Sequence, residues 1–241
     1  MKTITFIAIT LIAGAIAGFL LALINQGLVE PYIDQAINIE NQDAIVQGEA
    51  INPQEFNEYR LWQKGGEIAA GTTLGVSLGA LFGVVFAFAR NSIPGSNNKK
   101  KALILGGVML LVIYIVPALK YPANPPAVGD PETIYYRESL YIALLATSGF
   151  SALGLAFLYR KIRDKKAKQV VVPVIYIGII ATAFMILPPN PDENTAPMDL
   201  VMGFRIASGF TMSVFWGLLG LILGELWDRT KPHETARIAT V

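Results

Sequence analysis

The chain has 241 residues, of which 53% are hydrophobic and only 15% charged, with a mean hydropathy of +0.49 and a net charge of +1. Soluble domains average ~25% charged residues, so a water-facing surface of this size is hard to cover here, which argues against a water-soluble enzyme. The absence of cysteine removes disulfide frameworks and thiol chemistry, the single His233 leaves little for acid–base work, and the balanced charge points to no nucleic-acid partner.

A helix needs about 20 apolar residues to cross the ~30 Å hydrocarbon layer, because lipid offers no partner to open backbone. Six stretches qualify: 4–24, 68–89, 102–118, 138–159, 170–187 and 200–226. The expected fold class is all-α, a polytopic integral membrane protein with a six-helix transmembrane bundle, and 1–241 is read as a single transmembrane domain. The first apolar run exceeds the ~7–15 residues of a signal-peptide core, so it is read as a retained span. Pro117 and Pro188 are expected to end the third and fifth spans, since proline lacks an N–H and its ring clashes with the preceding turn.

The segment 25–67 is expected to be an outer loop. Within it Asn52-Pro53-Gln54-Glu55 carries an N-cap, a proline at the first helical position and a glutamate three residues after the cap. A short helix should run from there through Trp62, resting Phe56, Tyr59 and Trp62 on the membrane surface. In the second span Gly71, Gly75, Gly79 and Gly83 recur every fourth residue, a face on which another helix can come close. Glu67 shares that face and should point into the helix contact. Gly14/Gly18 and Gly220/Gly224 repeat the spacing. The Gly75-Val76-Ser77-Leu78-Gly79 match to the G-x-S-x-G hydrolase pattern lacks a base near Ser77 and is read as a by-product of glycine packing.

The connections divide sharply by charge. Segments 90–101 and 160–169, with Lys2 and the tail (Glu225, Asp228, Arg229, Lys231, Glu234, Arg237), hold 14 basic and 4 acidic residues; the opposite side holds 5 basic and 14 acidic. Positive loops stay in the cytoplasm, which predicts a multi-pass protein of the cell membrane with both termini cytoplasmic. Asn52-Pro53, Asn124-Pro125 and Asn190-Pro191 each precede an arginine, namely Arg60, Arg137 and Arg205. That shared plan suggests three helical-hairpin repeats; turns outside a membrane would also account for the Asn-Pro pairs.

In the sixth span Met198, Met202, Arg205, Gly209, Met212 and Trp216 form a stripe at alternating steps of four and three, which turns Arg205 toward a neighbouring helix. Arg205 lies about 8 Å along the axis past Leu200. A charge at such depth marks a pathway or a paired site, whereas snorkelling or pairing with Asp199 is the structural alternative. Arg137, beside Glu138, has the corresponding place in the second hairpin. The transport-path candidates are therefore Glu67, Arg137, Glu138, Asp199 and Arg205.

The stretch from Pro117 to Ile134, PALKYPANPPAVGDPETI, followed by Arg137, resembles the signature of the CbtA family of predicted cobalt transporter subunits. The family-matching positions are Pro117, Lys120, Tyr121, Pro122, Asn124, Pro125, Pro126 and Arg137. The resemblance implies cobalt uptake for corrinoid synthesis, alongside a small single-span CbtB-type subunit with a histidine-rich end. Cobalt would be cargo, with no cofactor bound permanently and its ligands unassigned. With no imidazole or thiol at membrane depth, only a weak oxygen- or thioether-lined transit site is expected, so the partner would supply the discriminating ligand. No P-loop motif is present in the sequence. The alternatives are a non-transporting membrane scaffold or assembly subunit, and an anion permease using Arg137 and Arg205. A homo-oligomer is a further expectation.

Overall fold

The structure, a computed structural model, describes residues 2–50, 52–126, 128–192 and 196–233. Of the tail charges, Glu234 and Arg237 lie outside the described residues. Among the described residues the regular elements are all helical: α1 (Thr3–Leu28), α2 (Glu30–Val46), α3 (Pro53–Ala89), α4 (Asn98–Met109), a π-helical turn (Leu110–Ile115), α5 (Val116–Lys120), a 3-10 turn (Pro131–Thr133), α6 (Ile134–Lys161), α7 (Lys165–Ile186) and α8 (Met198–Thr230). Six helices are long and apolar enough to cross a membrane, as the sequence predicts: Thr3–Leu28, Pro53–Ala89, Asn98–Lys120, Pro131–Lys161, Lys166–Ile186 and Met198–Thr230.

The expected outer loop 25–67 is mostly helix. α1 runs on to Leu28, and α2 starts at once because Pro31 sits in its first turn, where a missing N–H costs nothing. At Asn52 the cap forms as read from the sequence: its side chain accepts from Gln54 N at 3.0 Å and donates to Glu55 Oε1 at 2.9 Å. The helix it starts does not stop at Trp62. Gly65 and Gly66 each weaken a helix by only ~1 kcal/mol, so the surface helix and second span fuse into the 37-residue α3.

The third span also departs from expectation, because Pro117 does not end it. The preceding turn widens to π geometry, in which the Val116 N–H reaches back five residues to Leu111 O. Continued by one residue, that pattern would pair Pro117 with the Val112 carbonyl, and proline has no proton to give. The wide turn leaves room for the ring, and the helix proceeds to Lys120. α7 does end before Pro188, at Ile186. At its other end the Asp164 carboxylate caps α7, held below the usual carboxylate range by the Ala167 and Lys166 backbone N–H groups. That support is present above the ordinary aspartate pKa and is lost as pH falls through the lowered value.

The chain divides into two compact units, Met1–Pro31 with Asn41–Val108 and Phe210–Val241, and Tyr32–Glu40 with Met109–Gly209. In the first, α1 and α3 meet backbone to backbone. A Cβ added to Gly75 would strike Gly14 O and Gly18 Cα, and one on Gly79 would sit 2.6 Å from Gly14 Cα. The Gly14/Gly18 pair and the α3 glycines are therefore two sides of one seam, where close approach lets dispersion and backbone contacts hold helices together in lipid. Gly220 and Gly224 bring α8 equally close to Ala102 and Lys99 of α4. Phe82, Phe86, Phe215, Trp216 and Trp227 fill the remainder, with Phe86 and Trp227 edge to face at 5.0 Å. In the second unit α6 packs on α7 and on the π turn and α5, around Tyr121, Leu140, Leu144 and Ala183.

The seam gives a paired prediction. Gly75→Ala is expected to lose roughly 1–3 kcal/mol through overpacking. Gly66→Ala, with open space around its added carbon, is expected to gain up to ~1 kcal/mol from helix propensity. Thermal unfolding of the two purified variants in detergent checks both signs.

Candidate functional site

The spacing of Arg60, Lys64 and Glu67 puts them on one face of α3, and that face meets the C-terminal end of α1. Gln26 Nε2 donates to Glu67 Oε2 at 2.5 Å and to Lys64 O at 3.1 Å. Glu67 therefore points into the helix contact, as expected. Close by, the Glu30 carboxylate, only 7% exposed, takes Arg60 Nη2 at 2.5 Å and lies 3.6 Å from Lys64 Nζ. Sequence reasoning missed Gln26 and Glu30; the start of α2 at a proline, one residue past Glu30, was the available signal.

In the second unit the family-motif loop is tied down residue by residue. Lys120 Nζ donates to Phe184 O at 2.8 Å and lies 5.6 Å from the Tyr121 and Phe184 ring centres. Burial, and then the neighbouring Tyr136, push the Tyr121 phenol above its usual range, so it stays protonated and donates to Pro188 O at 2.6 Å. Pro125 is buried, while Pro122 is half-buried and Pro126 exposed. Arg205 donates to Ala123 O at 3.1 Å and to Asn124 Oδ1 at 2.7 Å. Its partner is thus this loop, correcting the expectation of a neighbouring helix. The stripe on α8 divides: Trp216 is buried, but Met198 and Met202 are exposed.

Arg137 makes a second tie. Its Nε lies 3.0 Å from Asp192 Oδ2 and 3.0 Å from Thr133 Oγ1, and its Nη2 donates to Asp130 O. Asp192, 8% exposed at its side chain, also accepts from Asp130 N and Thr133 Oγ1. Gly129 adopts φ +102° beneath this cluster, and a Cβ there would meet Asp192 and Arg137. Glu138 and Asp199 are not brought together with these groups; both are exposed and make no side-chain hydrogen bond or ion pair among the described residues. Asp192 was missed from sequence, although it directly follows Asn190-Pro191.

The third polar node lies midway along three helices. Ser148, fully buried, donates from Oγ to Val112 O at 2.6 Å, which is the carbonyl that Pro117 leaves without a proton. Tyr176 O–H in turn donates to Ser148 Oγ at 2.7 Å, Ser148's own proton being committed. Ser77 of the hydrolase-like pattern bonds only its own helix, at Thr73 O, and faces outward. No group of three or more His, Cys, Asp or Glu side chains placed to hold a metal occurs among the described residues.

A family model described as "Probable cobalt transporter subunit (CbtA)" matches residues 3–228, nearly the whole chain. The chain belongs to the CbtA family. The match takes in all six apolar helices, the motif loop and both arginine ties, so this CbtA chain is a multi-pass membrane protein of a transporter-subunit family. No curated protein and no solved structure matches it.

If the Arg137–Asp192 contact couples the two loops, Arg137→Gln and Asp192→Asn are non-additive. A double-mutant cycle on thermal stability should give a coupling on the order of 1–3 kcal/mol, and Glu138→Gln should show none with either.

Proposed function

We propose that this CbtA chain is the membrane-embedded subunit of a cobalt uptake system in the cell membrane, with both termini cytoplasmic. The observation that carries the reading is the family match over residues 3–228, on a chain with six apolar helices. The chain offers no imidazole or thiol at membrane depth, so a tight resident cobalt site is not part of the reading. Cobalt crosses as cargo through weak oxygen-lined sites. Ion discrimination belongs to a small single-span CbtB-type partner with a histidine-rich end. Glu67 is retained as a pathway group, because it is half-buried on the α3 face that meets α1.

The anion-permease reading loses ground on one observation. Arg137 is held by Asp192 and Arg205 by Asn124 and Ala123 O, so each guanidinium already has its acceptors inside the chain. The same ties give the scaffold reading its support, since they join segments within the chain.

Deleting the gene should lower cell-associated cobalt at limiting supply, with growth restored by added cobalamin. Undiminished cobalt in the deletion strain would overturn the transport reading. Reduced uptake of an oxyanion with unchanged cobalt would favour the arginine alternative.

A further inference from the structure

We infer that Glu67 is a proton-exchanging carboxyl, its carboxylate held by the side-chain amide of Gln26 and its acid form by that of Asn25. The inference rests on the transport reading above, to which it adds a coupling ion. Three acids of the structure sit against bases: Glu30 against Arg60 and Lys64, Asp192 against Arg137, and Glu225 against Lys99 and Arg229. Protonating any of these strands a cation beside a neutral group. Glu67 differs from these, because its side chain accepts from the uncharged amide of Gln26 and has the Asn25 side chain beside it. The charged groups that face it are Glu30 from α2 and Arg60 from its own helix, and the Lys64 ammonium is turned to Glu30. The adjoining end of α1, from Ala22 to Leu28, contributes no titratable side chain.

A second observation points to the proton itself. Asn25 Oδ1 is buried and, among the described residues, has no donor, and the Asn25 side chain lies beside Glu67. The arrangement as it stands suits the carboxylate: Gln26 gives hydrogen bonds to Glu67 Oε2 and Lys64 O. When water delivers a proton to the Glu67 carboxylate, the carboxyl becomes a donor. A half-turn of the Asn25 amide then presents Oδ1 as its acceptor, so the orphaned oxygen is satisfied in the protonated state. Release of that proton to water reverses the change. One turn further along α3, Gly71 begins the seam against Gly18 and Ala22, so the exchange of partners occurs where α1 and α3 have least freedom to ignore it.

The test uses the full chain purified into lipid vesicles. Infrared difference spectra between about pH 9 and about pH 4, which spans the range documented for free and buried glutamate, should show a protonated-carboxyl band. That band is lost in Glu67→Gln and displaced in Glu67→Asp, and the aspartate variant carries the test if the glutamine one fails to fold. In cells, cobalt uptake by the wild type should vary with external pH. Glu67→Asp should keep that dependence with a displaced midpoint, and Glu67→Gln should flatten it at equal membrane abundance. Absence of a Glu67-dependent band, or a wild-type pH profile in Glu67→Gln, overturns the proposal. A Glu67 band in a protein whose deletion leaves cobalt uptake unchanged upholds the proton site and sinks the transport reading instead.

Discussion

Hydrocarbon offers a polar atom nothing to bond to, and most of what is unusual in this protein follows from that constraint. Pro117 removes one proton from a helix that must cross lipid, and the structure answers with a wide turn and a serine from another helix, whose hydroxyl meets the Val112 carbonyl. Arg205 and Arg137 are charges at the ends of apolar helices, and each is surrounded by acceptors belonging to the loops they join. The glycine seam answers a related difficulty. In lipid there is no hydrophobic force to press α1 on α3, so the two associate only because Gly14, Gly18, Gly75 and Gly79 let their backbones touch.

The same economy shapes the functional account. The family motif is rich in residues that look ready for a ligand, yet Lys120, Tyr121 and Asn124 are occupied with Phe184, Pro188 and Arg205. Their work is to fix the connection between helices. In the proposed mechanism the cargo is therefore handled by weaker groups, and selection falls to a partner subunit with better ligands for cobalt. A site that binds weakly suits a passage, because an ion that is held tightly does not leave.

Signals that depend on local composition were readable in the sequence. The six apolar runs, the every-fourth glycines and the Asn52 cap depend on spacing and on side-chain chemistry within a few residues, and all three appear in the structure. Local helix breakers are the weaker signal. Pro117 reads locally as a helix stop and 25–67 as a loop, because the compensating groups, Ser148 for the first and cooperative helix growth from Pro53 for the second, lie outside any short window. The α8 stripe places Arg205 in a helix contact; its acceptors are about eighty positions away in sequence, and no periodicity reports them. Gln26 and Asp192 likewise meet their partners, Glu67 and Arg137, far along the chain.

Purified chain in sealed vesicles, with and without its proposed single-span partner, offers the most direct test of the claim that these helices let cobalt through. Entry of radioactive cobalt down its gradient should exceed that of empty vesicles whenever this chain is present, and the partner should sharpen the preference for cobalt over other divalent ions. Vesicles that admit cobalt with the partner alone, and no more when this chain is added, would contradict the account.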